Sequence, residues 1–334
     1  MNAWAIDAYG EPDHFRRQTT PRPKPVASEV LIRVMATSVN PIDCKIRRGE
    51  RPAIAPALPA ILHGDVAGIV EELGEGVTDF ALGDEVYGMV GGVKDLGGSL
   101  ADFTKADTQL LARKPTNLSF AEAAALPLVT ITAWEGIHDR ARVEAGQQVL
   151  VHAGTGGVGH IAAQLALAAG AQTTVTISSE KKAQTVHKLC GDAIKTVNYR
   201  EESVSDYVER ITNGRGFDVV FDSVGGENLA NSFAATRQNG QVVNILAMTE
   251  HDLTPMHLKG LSLHVIFMLL PLLTGIGRAR HGAILASATE LAEAGKLKPL
   301  IDSTHTFDQA GDAHRRAERG QQEGKIVLTH PEHL

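Results

Sequence analysis

Cysteine is scarce in this 334-residue sequence, with Cys44 and Cys190 the only two. Two thiols far apart cannot build a disulfide framework or a four-cysteine zinc lobe, so a reduced, cytoplasmic setting is expected. A basic excess is missing as well. The 39 acidic and 32 basic residues leave a net charge of −7 and a pI near 6.1, which argues against nucleic acid or an anionic membrane as the main partner. Long apolar runs are also absent. The longest, Val265 to Leu273, contains Pro271 and is far too short to span a bilayer. The N-terminus has no basic stretch before an apolar one, and Asp7 interrupts its first apolar residues, so no secretory leader is expected. There are no repeats and no low-complexity tracts. What remains is an ordinary globular composition, 43% hydrophobic and 21% charged, long enough for two domains with a core each.

The chain is organised around Val149 to Gly170. A short apolar strand, Val149 to Ala153, runs into Gly154-Thr155-Gly156-Gly157-Val158-Gly159 and then into an alanine-rich helical stretch. Gly154, Gly156 and Gly159 fit G-x-G-x-x-G between a strand and a helix, the setting of a dinucleotide fingerprint. Gly154 is expected to permit the tight turn, Gly156 to let backbone amides approach a pyrophosphate, and Gly159 to allow close helix–strand packing. Val158, Ile161, Ala162, Leu165, Ala168 and Ala169 repeat at helical spacing, so a small-residue face can lie close to a sheet. The helix's first N–H groups would face the phosphates.

Before this stretch the chain reads as β-rich. Strands are expected at Val30 to Ala36, Asp65 to Val70 (where Gly68 signals a bulge or a close approach) and Gly83 to Met89. Gly91 to Gly98 reads as a flexible loop, and prolines punctuate residues 21–25. Ser119 and Glu122 form a capping box at a helix start, and a further helix is expected from about Thr130 to His138. After the fingerprint, strands at Thr173–Ile177, Ile194–Val197, Phe217–Asp222 and Gln241–Leu246 alternate with helices at Glu180–Leu189, Ser205–Ile211 and from Leu229. That alternation predicts a parallel, doubly wound sheet. Lys325 to Leu328 is a final short strand expected to rejoin the first domain.

The second strand of this series ends at Ile177 and is followed by Ser178-Ser179-Glu180-Lys181-Lys182. A carboxylate at that strand end would accept ribose hydroxyls of NAD, whereas a 2′-phosphate wants hydroxyl and cationic donors. The serines and lysines favour NADPH, and Glu180 fits the first turn of a helix.

Taken together, the residues resemble the quinone oxidoreductase (zeta-crystallin-like) branch of the medium-chain dehydrogenase/reductase superfamily. The resemblance covers nearly the whole length and rests on Ser38-Val39-Asn40-Pro41-Ile42-Asp43, Asp65-Val66-Ala67-Gly68, Ala124-Ala125-Leu126-Pro127-Leu128 and Thr132-Ala133-Trp134. It continues through the fingerprint, Asn198-Tyr199-Arg200-Glu201-Glu202, Asp222-Ser223-Val224-Gly225-Gly226 and Gly324-Lys325-Ile326-Val327-Leu328. It implies an α/β protein with a GroES-like β-rich catalytic domain (residues 1–122 and 298–334), a Rossmann domain (residues 123–297) and a coenzyme between them. It also implies a coenzyme-binding set. Lys182, or Lys181 one position away, and Ser178 would meet the 2′-phosphate, and Tyr199 the adenosine phosphate. Thr132 would lie beside the nicotinamide unless it is simply bonded to its own helix backbone. Gly157, Val158 and Ser223 would line the same path, and the backbone of Ile245 and Leu246 would hold the carboxamide. Zinc-dependent relatives hold their metal with Cys, His and Cys. The matching positions here are Asn40, Gly64 and Leu128, so no metal is expected, and His63 alone cannot assemble a site.

Without a metal to polarise a carbonyl, the chemistry left is hydride delivery to a quinone or an α,β-unsaturated carbonyl. Asn40 either orients substrate or nicotinamide or serves only as an Asn-Pro turn, and Tyr87 or solvent supplies the proton. The apolar stretch Leu261 to Leu270 resembles an edge strand that pairs with a second subunit, implying a homodimer. The competing readings are a zinc-dependent alcohol dehydrogenase and a non-catalytic, crystallin-like NADPH-binding protein.

Overall fold

The structure is a computed structural model describing residues 1–331. The chain divides into two compact units. The first comprises Met1–Ile131, Leu269–Gly295 and the chain from Pro299 onward; the second comprises Thr132–Met268 with Lys296–Lys298. No helix among the described residues is long and apolar enough to cross a membrane.

In chain order, the first unit begins with β1 (Asn2–Ile6), β2 (Phe15–Thr19), β3 (Glu29–Val39), β4 (Ala60–Ile61), β5 (Asp65–Leu73), β6 (Glu85–Met89), β7 (Phe103–Asp107) and β8 (Leu111–Arg113). The second unit contributes β9 (Gln148–Val151), β10 (Gln172–Ile177), β11 (Lys195–Asn198), β12 (Phe217–Asp222), β13 (Thr236–Asn244) and β14 (Ser262–Val265). β15 (Ile301–Thr306) and β16 (Lys325–Thr329) then return to the first unit.

β3 is the spine of the first unit. One edge is antiparallel to β5, while the other is shared between β7 at its start and β16 at its end. Nearly every residue from Val30 to Val39 is buried, as expected of a strand enclosed on both faces. The register of β3 against β5 shifts twice, and a Cβ at Gly68 would stand 2.2 Å from the Arg33 carbonyl oxygen, so this glycine is where the two backbones come closest. The Gly91 to Gly98 loop is a tight turn rather than a loose one: Val93 and Leu96 bridge, and a Cβ at Gly91 would meet Gly97 O at 2.0 Å.

Helix Arg278–Glu293 belongs to the first unit, whereas its position in sequence had placed it in the second domain. Gly282 is the reason it can dock there, since a Cβ would stand 2.6 Å from Gln109 O. Ser119 and Glu122 do form a reciprocal capping box.

The second unit is a six-stranded, wholly parallel sheet in the order β11-β10-β9-β12-β13-β14. This is the doubly wound arrangement, and strand order reverses between β9 and β12. Leu150, Val220, Val242, Tyr207, Phe217, Leu229 and Phe233 form a core on one face. Ile161, Ala162 and Leu165 of helix Gly159–Ala168 are buried on the face expected to meet the sheet, whereas Ala168, expected on that face, is exposed and Ala166 is buried instead. β13 begins earlier than expected and stops at Asn244, because the Asn244 side chain accepts the Leu246 N–H at 2.7 Å and turns the chain. The helix expected to run from Thr130 starts instead at Pro127, a favoured first helical position, and passes into a π-helical turn, Glu135–Arg140.

Candidate functional site

The C-terminal edge of the second unit's sheet gathers most of the expected site. The fingerprint loop follows β9, Ser178 and Lys182 follow β10, Tyr199 follows β11, Ser223 follows β12, and Ile245 and Leu246 follow β13. In a doubly wound sheet this edge, at the switch between β9 and β12, is where a ligand finds free N–H groups and a crevice.

The three glycines divide their tasks differently from expectation. None of them has a positive φ; the left-handed residue in the turn is Ala153, at φ 54°. Gly154 is instead needed for space, since a Cβ there would stand 2.5 Å from Val175 Cβ. Gly159 sits under the turn, where a Cβ would meet Ala153 O at 2.1 Å, so helix–strand packing is its task as expected. Gly156 is the informative one. A Cβ there would meet Ala153 O at 3.1 Å and Ala153 Cβ at 3.6 Å, a tight contact but far milder than those at Gly154 and Gly159, so of the three this position requires glycine least. A cradle that a methyl group would fill from outside suits the approach of a pyrophosphate, and Gly157 and Val158 continue it into the helix N-terminus.

Around that cradle, polar groups stay available. Ser179 caps helix Glu180–Cys190, and Ser178 is half-buried beside it. The Lys182 ammonium makes no ion pair among the described residues, and its backbone N–H is the one that Ser179 caps. Tyr199 is 56% exposed, unlike a strand-end aromatic used for packing. The Ser223 hydroxyl donates to His152 O at 2.7 Å, and Leu246 is exposed. Thr132 is buried in helix Pro127–Trp134.

In the first unit the polar groups are spent on one another. The Asp65 carboxylate is fully buried and accepts hydrogen bonds from Ser38 Oγ (2.7 Å), Asn40 Nδ2 (2.8 Å) and Leu128 N (2.8 Å). Lys325 Nζ lies 3.6 Å from Asp65 Oδ2 and donates to Val39 O (2.9 Å) and to Asn40 Oδ1. Both ends of the Asn40 amide are therefore occupied, and its backbone N–H donates to Asp43 Oδ2 at 2.7 Å. Burial pushes the Asp43 carboxyl up to about 7, with the Asp65 charge adding to the shift; burial also lowers the Lys325 ammonium, opposed by Asp65 and Asp43.

His63 lies in the loop between β4 and β5, fully buried with φ 69°, and its Nε2 lies 2.9 Å from Nε2 of the equally buried His314. Arg47 Nε donates to His314 Nδ1 at 3.3 Å, so His314 carries its proton on Nε2 and donates it to His63. Burial holds His63 down to about 3 and lowers His314 as well; the nearby Lys325 charge adds to the first shift and His63 itself to the second.

Two expectations are corrected here. Tyr87 cannot serve as a proton donor. It is buried, its hydroxyl donates to Leu285 O at 2.7 Å, and burial makes it a weaker acid than an ordinary phenol. Asn40 is held within the first unit rather than turned towards a substrate, because its amide is buried with Nδ2 donating to Asp65 and Oδ1 accepting from Lys325. Asp65, Lys325, His314 and Arg47 are among the buried polar groups to which sequence reasoning assigned no task. The signal was there in Lys325, a charged residue opening an otherwise apolar strand.

Comparison with known proteins decides the family. Residues 26–116 match the alcohol dehydrogenase GroES-like domain, and residues 192–328 match the zinc-binding dehydrogenase family. A 2-methylene-furan-3-one reductase of Solanum lycopersicum is 35% identical over 99% of this chain and 79% of its own length. A chloroplastic NADPH-dependent alkenal/one oxidoreductase of Arabidopsis thaliana is 33% identical, over 98% and 79% respectively. Among solved structures, an alcohol dehydrogenase superfamily protein from Novosphingobium aromaticivorans superposes with a TM-score of 0.93 at 38% identity, covering 98% of this chain and 99% of that one. The quinone oxidoreductase from Coxiella burnetii gives 0.82 at 29%, covering 98% and 99%. The chain belongs to the quinone oxidoreductase branch of the medium-chain dehydrogenase/reductase superfamily.

Within this superfamily the donor set for a catalytic metal does not fit. Gly64 has no side chain, Leu128 has no donor atom, and the Asn40 amide is committed to Asp65 and Lys325. An ammonium, Lys325 Nζ, already lies against the Asp65 carboxylate and the Asn40 amide.

Proposed function

We propose that the protein is a zinc-independent, NADPH-dependent oxidoreductase that reduces a quinone or an α,β-unsaturated carbonyl. The observation that carries this reading is the end of β10. Where an NAD enzyme would present a carboxylate, the chain presents Ser178 and the ammonium of Lys182, which makes no ion pair among the described residues, with exposed Tyr199 following the neighbouring β11. The relatives named for alkenal/one and quinone substrates support the acceptor class.

In this reading Lys182 and Ser178 bind the 2′-phosphate, and the N-terminus of helix Gly159–Ala168 takes the pyrophosphate across Gly156. The backbone of Ile245 and Leu246 holds the carboxamide, and Thr132 lies against the nicotinamide. When bound, NADPH supplies the hydride, and the acceptor must already be electron-poor because no metal polarises it. The proton that completes the reduction comes from solvent, Tyr87 being unable to give it. Asn40, Asp65 and Lys325 hold the β3, β5 and β16 ends in place and touch nothing that reacts.

We also infer a homodimer. β14 is the unpaired edge of its sheet, with Val265 51% and Phe267 46% exposed, and a bare apolar edge invites a second copy. Both cysteines are free, which suits a reduced, cytoplasmic compartment.

The test is oxidation of NADPH, followed by its absorbance, against a panel of quinones and enones, with metal analysis of the same purified sample. Turnover with less than about a tenth of a zinc per chain is expected. Stoichiometric zinc with alcohol oxidation would favour the alcohol dehydrogenase reading, and coenzyme binding with no turnover the non-catalytic one. Light scattering at micromolar concentration should report a dimer, and a monomer would remove that part.

A further inference from the structure

The loops that make up the coenzyme edge stand on a buried polar row. Thr174, Leu150, Val220 and Val242 are in register across β10, β9, β12 and β13. Two residues further on, where side chains return to the same face, come Thr176, His152, Asp222 and Asn244, all buried. The lower row is mostly core. The upper row is polar throughout, and its members hold the loops above. Asp222 Oδ1 accepts from Val224 N and Gly225 N (2.9 Å each), Asn244 Oδ1 accepts from Leu246 N, and Thr176 Oγ1 accepts from Ala153 N at 3.0 Å.

Thr176 has the most consequential task. Its hydroxyl takes the N–H of Ala153 and its carbonyl takes that of Gly154 (2.9 Å), so one residue ties down the left-handed turn that opens the fingerprint. A non-glycine residue in that conformation is unfavourable and persists only where its surroundings hold it. The Thr176 hydroxyl can accept from Ala153 while donating its own hydrogen. The partner within reach is His152 Nδ1, 3.4 Å away, which leaves the imidazole proton on Nε2. His152 Nε2 has no hydrogen-bond partner among the described residues. A buried imidazole so poorly satisfied is a net loss to folding that an apolar side chain would avoid, so its retention points to a task beyond packing.

We propose that Thr176 and His152 are positioning residues for the coenzyme, Thr176 holding the fingerprint loop through Ala153 N–H and His152 orienting the Thr176 hydroxyl. This rests on the coenzyme binding at this edge. NADPH affinity by fluorescence titration, steady-state kinetics and thermal midpoint are to be measured for Thr176→Val, Thr176→Ser, His152→Leu and the Thr176→Val/His152→Leu pair. Thr176→Val should raise Kd and KM for NADPH about tenfold while kcat at saturating coenzyme falls less than about threefold. Thr176→Ser should restore most of the affinity. His152→Leu should weaken NADPH by about threefold to tenfold with a thermal midpoint unchanged or raised, and the pair should be no worse than Thr176→Val alone. A purely structural role predicts the reverse pattern for His152→Leu, a shifted midpoint with Kd unchanged, and that result would overturn the assignment. So would equal losses in Thr176→Val and Thr176→Ser, or full additivity in the pair. If Thr176→Val fails to fold, the His152→Leu result decides. If the wild-type protein binds no NADPH, the coenzyme reading fails instead. Hydrogen exchange then tests the loop directly: the Ala153 amide should lose protection in Thr176→Val, and retained protection would overturn the inference.

Discussion

The two units bury polar groups to opposite ends. In the first, Asp65, Lys325, Asn40 and Asp43 bond to one another, and His63, His314 and Arg47 do likewise. In the second, Thr176, Asp222 and Asn244 accept hydrogen bonds from the loops above them, and those loops present Lys182 without an ion pair among the described residues, Tyr199 exposed and Gly156 open on its outer side. A cluster whose groups are used up among themselves holds shape, whereas a row that leaves the groups above it free prepares a binding surface. The presence of polar residues does not separate the two cases; their remaining hydrogen-bonding capacity does.

The comparison breaks most visibly at Lys325. Lys325→Met leaves Asp65 and Asp43 without their cation and should destabilise the protein by about 3–5 kcal/mol, measured by urea unfolding. A loss under about 1 kcal/mol would mean the pair is not buried as described. Asp65→Asn/Lys325→Met should recover part of the loss, since no charge is then stranded.

Next come the glycines. Gly159→Ala forces a Cβ against a backbone oxygen and should cost about 1–3 kcal/mol of stability. Gly156→Ala should leave the melting temperature within about 2 °C yet weaken NADPH about tenfold. Equal melting temperatures for the two variants would erase the distinction drawn between them.

Acid sharpens the contrast from the other side. His63 is held to about 3 in the fold against 6.5 outside it, and His314 is also lowered. The unfolded chain therefore takes up protons below 6.5 that the folded chain refuses, and stability falls as pH drops. Asp43 acts in the opposite sense: at about 7 against 3.8, it keeps a proton that the unfolded chain releases, so its contribution is lost as pH rises towards 7. Between about pH 4 and 6 His63 and Asp43 nearly cancel, and the lowered His314 tips the cluster towards a loss of stability as pH falls. Asp43→Asn removes the opposing proton and should steepen the acid loss by about 1.4 kcal/mol per pH unit. A slope unchanged by Asp43→Asn would show that Asp43 does not titrate in that range.

The smallest effect is expected at Tyr87. Tyr87→Phe removes the buried hydrogen bond to Leu285 O and the contact with Thr289 Oγ1, about 1 kcal/mol. Turnover should stay within about twofold, whereas a hundredfold fall would reinstate Tyr87 as the proton donor.

The second unit's topology was legible because a parallel sheet buried on both faces writes itself as short apolar strands between capped helices, and the fingerprint marks where the order turns. The limits of β13 were not, since a side-chain bond from Asn244 ends that strand. The allegiance of helix Arg278–Glu293 was hidden too, because its apolar positions do not say which unit they face; Gly282 and its contact with Gln109 do. At the site, Lys182, Tyr199 and the loop residues could be placed by position along the chain. Asn40 and Tyr87 were overvalued, since a sequence shows that a donor exists and conceals whether a partner has already taken it. Ala153 carried the strain expected of Gly154, a division of labour that only backbone angles reveal.

The most direct test compares NADPH and NADH binding to the wild-type protein and to Lys182→Ala. The account predicts that the wild type prefers NADPH, and that Lys182→Ala weakens NADPH by about tenfold to hundredfold and leaves NADH unchanged. Equal weakening of both coenzymes, or no wild-type preference for NADPH, would contradict it.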